Sequence, residues 1–303
     1  MLNLILLLVG FVMLIKGSDV FVEEASNIAK RFNIPPIIIG MTIVAMGTSA
    51  PELSVSVTSS LIGLNDMSIA NVVGSNIFNL LVALGICPMV GKIKISNYKD
   101  VLILLVSCMG LLIFTINGSM NMFEGILLLI GFTTYILYMI RQAKDNKEEQ
   151  NESKKKNLLL TIILGLLGLG SIILGGNLVV NSASEIALQL GMSENLVGLT
   201  IVALGTSLPE FITSVIATKK GELEMAIGNI LGSNIFNILL ILGVASTISS
   251  MTVSLIAIYD IIFMVFSTLL FIILTIKEKE INKKKGILMI LVYIIYLIIT
   301  IIR

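Results

Sequence analysis

The stretch from Gly40 to Glu52, G-M-T-I-V-A-M-G-T-S-A-P-E, returns from Gly198 to Glu210 as G-L-T-I-V-A-L-G-T-S-L-P-E. Farther on, G-S-N-I-F-N runs from Gly74 to Asn79 and again from Gly232 to Asn237. Both recurrences keep an offset of 158 residues, and between residues 40 and 86, 25 of 47 positions are identical to their counterparts. A chain that repeats itself without a gap is expected to fold as two like halves, with a site made of both copies at their seam. Each copy carries one carboxylate, Glu52 or Glu210, directly behind a proline in an otherwise apolar stretch.

The solvent for that fold follows from hydropathy. The chain has 303 residues, of which 56% are hydrophobic and only 13% charged, and its mean hydropathy is +1.03. No water-soluble domain needs so much apolar surface, whereas a run of roughly 20 apolar residues spans a bilayer. The fold expected is therefore all-α and integral to the membrane, with the lipid bilayer as partner. A net charge of +1 and the lack of basic-aromatic clusters give nucleic acid no footing, and no obligate protein partner is evident. With no histidine in the chain, zinc, haem and His-based catalysis have no candidate residues. Cys87 and Cys108 are isolated thiols in apolar surroundings, without metal-ligand spacing. The N-terminal M-L-N-L-I-L-L-L reads as the first span rather than a signal peptide, because it lacks a basic start and a small-residue cleavage site.

About ten spans are expected, near residues 2–28, 37–61, 67–90, 98–116, 121–141, 157–187, 195–218, 224–245, 257–276 and 286–302. Residues 1–141 form the first five-helix half and 157–303 the second, joined by a charge-rich linker over 142–156. The repeat reaches beyond the motifs: Gly10 matches Gly168, Gly17 matches Gly175, and Gly125-Ile126-Leu127 matches Gly286-Ile287-Leu288. Five spans per half is an odd number, so the second half is inverted relative to the first. Basic residues give the orientation independently, since 18 of the 20 fall on one side when alternate loops are grouped. By the positive-inside rule that side, including linker 142–156, is cytoplasmic, and both termini lie outside a plasma membrane.

Within the second span, Pro51 has no amide hydrogen to give the Gly47 carbonyl, and Gly47 adds backbone freedom, so the helix should break over residues 45–50. The same break is expected around Gly205 and Pro209, making the second and seventh spans broken helices. Thr48 and Ser49 then converge with Glu52, and Thr206 and Ser207 with Glu210. In the next span of each half, Asn71, Ser75 and Asn79, or Asn229, Ser233 and Asn237, recur every four residues and form a polar stripe. Two carboxylates, hydroxyls, amide oxygens and freed carbonyls are all hard oxygen donors. Such a set suits calcium, magnesium, manganese or alkali ions and disfavours zinc or copper. Small residues in membrane helices more often serve close packing, and Ser56, Ser214, Gly85 and Gly243 are read that way. Glu52 and Glu210 resist that reading, because a carboxylate near mid-membrane costs several kcal/mol without a compensating partner. Asp19, Glu23 and Glu24, beside Lys30 and Arg31 at the inner end of the first span, are expected to form ion pairs, and Glu124 and Asp260 to sit at helix starts. Asn71 and Asn229 fit a ligand or a helix bridge equally well.

On these motifs the chain resembles the calcium/cation antiporter superfamily, whose two repeats carry G-T-S-x-P-E and G-S-N-x-F-[DN], and within it the prokaryotic sodium/calcium exchangers. The resemblance implies a central calcium site made by Glu52, Glu210 and the carbonyls of Thr48 and Thr206. It implies flanking sodium sites that use the carbonyls of Ala45 and Ala203 with Thr48, Ser49, Ser75, Thr206, Ser207 and Ser233. Asn79 and Asn237 complete the ring. Many microbial and potassium-dependent relatives carry Asp where this chain has Asn237, which argues against potassium co-transport.

The function expected is secondary antiport of sodium against calcium by alternating access, with no cofactor beyond the transported ions and no enzyme activity. Proton/calcium antiport is the alternative; proton-coupled members typically read G-N-x-x-E, and this chain has G-T-S-x-P-E twice. A cation channel would use the same oxygens, but channels generally arrange them as rings of subunits. Protease constellations are absent from the sequence.

Overall fold

The computed structural model describes residues 2–63, 65–91, 93–95, 98–145, 157–192 and 203–302. They are almost entirely helical. Helix α1 spans Leu2–Phe32, and a second run is bent between α2, Pro36–Thr48, and α3, Ala50–Leu61. Then come α4, Asp66–Val90, α5, Tyr98–Thr115, and α6, Met122–Asp145. The second half contains α7, Leu158–Gln189, α8, Ala203–Thr206, and α9, Leu208–Lys219. It ends with α10, Leu223–Ile248, α11, Leu255–Thr275, and α12, Lys283–Ile302. Among the described residues, eight helices are long and apolar enough to cross a membrane, and the bent α2/α3 pair makes a ninth. Residues 195–202 of the seventh expected span lie outside the described residues. So do 146–156 of the expected linker, while residues 142–145 continue α6, where Arg141 and Asp145 pair at 3.8 Å across one turn.

Capping residues set several helix starts. The Asn121 side chain accepts from the Phe123 amide at 2.9 Å while Glu124 accepts from the Asn121 amide at 2.7 Å, so Glu124 is the helix-start acid its position predicts. Ser254 caps α11 by accepting from the Ala257 amide, and Asn157 caps α7. Asp260, also expected at a helix start, instead lies inside α11 and accepts from the Tyr296 hydroxyl at 3.0 Å. After α9, Gly221 takes a φ of +84° and lets the chain reverse.

Helices α4 and α10 form the centre and are enclosed over most of their length, whereas α7 and α12 turn most of their surface outward. Around them the glycines of one half meet those of the other. A methyl on Gly10 would come within 2.9 Å of the Gly175 carbonyl oxygen, and one on Gly168 within 2.9 Å of that of Gly17. Such close backbone approach is the small-residue packing of membrane helices, and it joins α1 to α7. Gly85 likewise packs on Gly286, and Gly243 on Gly125, as the packing reading of Gly85 and Gly243 anticipated. Gly228 and Gly232 on α10 admit α2, since a methyl on Gly228 would lie 2.4 Å from the Ile37 carbonyl oxygen.

Two strand pairs, which hydropathy does not predict, tie the loops. At one end β1, Ile93–Lys94, pairs antiparallel with β4, Glu280–Ile281, and at the other β2, Ser119–Met120, pairs with β3, Met251–Thr252. Asp19 and Glu23 on α1 form ion pairs, as expected. Their partner is Lys220, at 3.0 and 3.5 Å, from the far half of the chain. Lys30 pairs with Glu222 at 3.4 Å, and Glu24 accepts from Asn27 at 2.9 Å.

Candidate functional site

The break in the second span falls where Pro51 and Gly47 place it. Ser49 leaves the helical path with ψ of 8°, and the segments on either side are bent by 49°. Ser207 occupies the same position between α8 and α9, with ψ of 0°. Both glutamates begin the helix that follows, in its first turn, where unpaired amides favour a negative charge. Both are completely buried.

The two copies are laced across each other. Ser49 donates to Glu210 Oε1 at 2.7 Å, and Thr48 and Ser233 also approach Glu210. Ser207 and Ser75 each lie 3.4 Å from Glu52 Oε1 and 2.9 Å from one another. The two carboxylates are within electrostatic reach of each other. Ser233 donates to the Ala45 carbonyl at 3.4 Å, so a backbone oxygen beside the break enters the same cluster. Ala203 opens α8, and its side chain lies outside the described residues.

Asn71 and Asn229 are helix bridges. Asn71 donates to the Glu52 carbonyl at 3.3 Å and to Ser56 at 3.0 Å, and accepts from Thr206 at 3.3 Å. Asn229 donates to the Glu210 carbonyl at 3.2 Å and to Ser214 at 2.9 Å, and accepts from Thr48 at 3.1 Å. Both hydrogens of each amide are thus used, and Ser56 and Ser214, read as packing residues, are the hydrogen-bond acceptors of these bridges.

Asn79 and Asn237 differ. Each opens a π-helical segment, Asn79–Ala83 and Asn237–Leu242, a distortion that concentrates at functional sites. Their amide groups donate, Asn79 to Ser75 at 3.5 Å and to Asn234 Oδ1 at 3.3 Å. Asn237 donates to Ser75 at 3.3 Å and to Asn76 Oδ1 at 3.0 Å. Their Oδ1 atoms, together with Glu52 Oε2 and Glu210 Oε2, are buried without a hydrogen-bond partner. An isolated buried acceptor is costly, and here two related by the repeat are carboxylate oxygens and two are carboxamide oxygens. All four accept and none donates, which is a donor set for a cation. No group of three His, Cys, Asp or Glu side chains gathers among the described residues, in keeping with hard neutral oxygens around two charges.

Asn76 and Asn234 escaped the sequence reading, which followed the stripe in steps of four. Their recurrence inside both copies of G-S-N-I-F-N was the available signal. Beside the cluster, a cavity of about 540 Å³ is lined by Pro51, Ser54, Asn177, Asn181, Thr206 and Pro209 among others.

Fold and site together define a helical membrane protein whose enclosed centre gathers cation-seeking oxygens from two repeated motifs. The chain belongs to the sodium/calcium exchanger protein family, which matches residues 2–141 and 159–302. It is 38% identical over 308 residues to the putative antiporter CaxA of Alkalimonas amylolytica, covering 96% of both chains. It is 29% identical to the sodium/calcium exchanger MaX1 of Methanosarcina acetivorans, covering 98% of both. Among solved structures, the sodium-calcium exchanger NCX_Mj soaked with 2.5 mM Na+ and 0.1 mM Ca2+ matches with a TM-score of 0.87, 32% identity and 98% of both chains covered.

Proposed function

We propose that this protein is a secondary antiporter that exchanges sodium for calcium across the plasma membrane by alternating access. The observation that carries the reading is the set of four buried acceptors without donors, Glu52 Oε2, Glu210 Oε2, Asn79 Oδ1 and Asn237 Oδ1. Two carboxylate charges balance one calcium ion or two sodium ions. The two loads therefore compete for one set of oxygens, as exchange requires. Calcium takes the centre, between the glutamates and the carbonyls of Thr48 and Thr206. Sodium takes flanking positions built from Ser49, Ser75, Ser207 and Ser233 with the carbonyls of Ala45 and Ala203. The names of MaX1 and NCX_Mj, each called a sodium/calcium exchanger, support sodium as the counter-ion.

In this reading the halves 1–141 and 157–303 are inverted repeats, and the linker 142–156 is cytoplasmic. The strand pairs agree with that sidedness, since each joins two loops that the topology places on one side. The cavity at Asn177 and Asn181 is then the outer vestibule. The residues that occupy the same repeat positions near the inner end, Asp19 and Glu23, are engaged by Lys220, so the geometry fits a carrier open to the outside and closed to the inside.

The test is calcium-45 uptake into proteoliposomes loaded with sodium, potassium or choline, with and without a pH gradient. Uptake is expected only with internal sodium. Uptake driven by a pH gradient without sodium would replace this reading with proton/calcium exchange.

A further inference from the structure

Asn76 and Asn234 hydrogen-bond to neither glutamate, and the exchange reading gives them no task, yet both are almost completely buried. Asn76 Nδ2 donates to the Asn234 backbone carbonyl at 3.0 Å, and Asn234 Nδ2 donates to the Asn76 backbone carbonyl at 3.1 Å. A backbone carbonyl cannot become a donor, so each contact fixes which way its carboxamide is turned. With Nδ2 committed, Oδ1 must face the other way, and there it can only accept.

What it accepts is the amide of a proposed ligand. Asn76 Oδ1 receives Asn237 Nδ2 at 3.0 Å, and Asn234 Oδ1 receives Asn79 Nδ2 at 3.3 Å. The second hydrogen of each ligand amide goes to Ser75. If Asn237 were flipped, its Oδ1 would face Asn76 Oδ1, and two acceptors would oppose each other without a hydrogen. Its NH2 group would then point where a cation should bind, and would repel it.

We infer that Asn76 and Asn234 are positioning residues that lock Asn237 and Asn79 with their carbonyl oxygens toward the transported ion. The order runs from an unflippable backbone carbonyl, to the outer asparagine, to the inner asparagine, to the ion. The links cross from one half to the other, so each half orients a ligand of its counterpart. A residue that only bridged the central helices would need the carbonyl contact alone; the contact to the ligand amide is what the positioning role adds. The inference rests on the exchange reading.

The experiment is calcium titration of the purified, detergent-solubilised protein by calorimetry in sodium-free buffer. It compares wild type, Asn76→Leu, Asn237→Ala and the double variant, each checked for monodispersity. Loss of a residue that orients a ligand typically weakens metal binding by roughly ten- to a hundredfold, and Asn76→Leu is expected to do so in the wild-type background. In the Asn237→Ala background it should cost nothing further, because the ligand it orients is gone. An equal loss in both backgrounds, or none in either, overturns the positioning role. The mirror set, Asn234→Leu with and without Asn79→Ala, repeats the test and decides it alone if Asn76→Leu is not recovered folded. A wild-type protein that binds no calcium overturns the exchange reading, and this inference with it. Tight wild-type binding left intact by both leucine variants overturns the inference alone.

Discussion

Ser49 Oγ, at the break of one repeated motif, donates to Glu210 Oε1, at the break of the other, across 2.7 Å. The mirror contact, Ser207 Oγ to Glu52 Oε1, is longer at 3.4 Å, and Ser207 lies nearer to Ser75. The same residues in the same order are thus held at different distances in the two copies. That inequality suits a carrier, which can be open on one side only if its halves differ. In both copies one carboxylate oxygen is tethered across the seam, and the other is buried without a hydrogen-bond partner.

Glu52→Gln and Glu210→Gln should each abolish calcium exchange while leaving folded, monodisperse protein. Each removes one of two full charges facing a divalent ion in an enclosed site, where screening is weak. Calcium affinity should fall by on the order of a hundredfold or more. Calorimetry that finds near-wild-type affinity in either variant would remove the glutamates from the site.

Exchange should also weaken as the medium is acidified. A proton on Oε2 of either glutamate occupies the atom that calcium needs and cancels its charge, so the two compete. The calcium concentration giving half-maximal uptake should rise steadily as pH falls, with the maximal rate recoverable at saturating calcium. A half-saturation value that stays flat from neutral to acid pH would show that the carboxylates are not the ligands.

How far this site could be read from sequence depends on whether a signal was local. The break at Ser49 was legible because Pro51 and Gly47 cause it within one helical turn. Asn71 was legible as polar but ambiguous in role, since its partners Ser56 and Thr206 are brought to it only by packing. Asn76 was missed because it lies one residue off the four-spaced stripe, on another face of the helix, and its partners, the Asn234 carbonyl and the Asn237 amide, are brought to it only by packing. The pairing of Asp19 with Lys220 had no local trace, because 201 residues separate them. Asp260 was misplaced because a helix start was inferred from hydropathy, whereas its role comes from Tyr296 on the next helix.

Lys220 should help hold the inner side closed. It reaches Asp19 and Glu23 of α1, and Lys30 reaches Glu222, so the end of α9 is clipped to α1 by charge. These groups are partly exposed, so each pair is worth roughly 0.2–1 kcal/mol and weakens with salt. Lys220→Met should therefore shift the balance toward the inward-open form by a few-fold, not abolish exchange. In oriented vesicles the variant should show tighter apparent calcium binding from the linker side and weaker binding from the opposite side. Unchanged affinities on both faces would mean the ion pairs are only a solvated surface feature.

Asn237 should set the charge carried per cycle. With Asn there, the proposed ligands hold two negative charges, from Glu52 and Glu210. Calcium, or two sodium ions, leaves them neutral, while a third sodium ion leaves one positive charge uncompensated. Exchange with three sodium ions should then generate current, and each charge crossing the membrane responds to voltage by about 2.3 kcal/mol per 100 mV. Asn237→Asp tests the same count from the other direction. The atom that now donates to Asn76 Oδ1 at 3.0 Å would be replaced by an oxygen, which has a hydrogen to give only when the carboxyl is protonated. The variant should therefore couple exchange to pH more steeply than wild type and carry less net charge when ionised. Solid-supported membrane currents, with and without an imposed potassium-valinomycin potential, measure both effects. Wild-type exchange that produces no current and ignores the imposed potential would show that no uncompensated charge crosses, and the three-sodium count would fall.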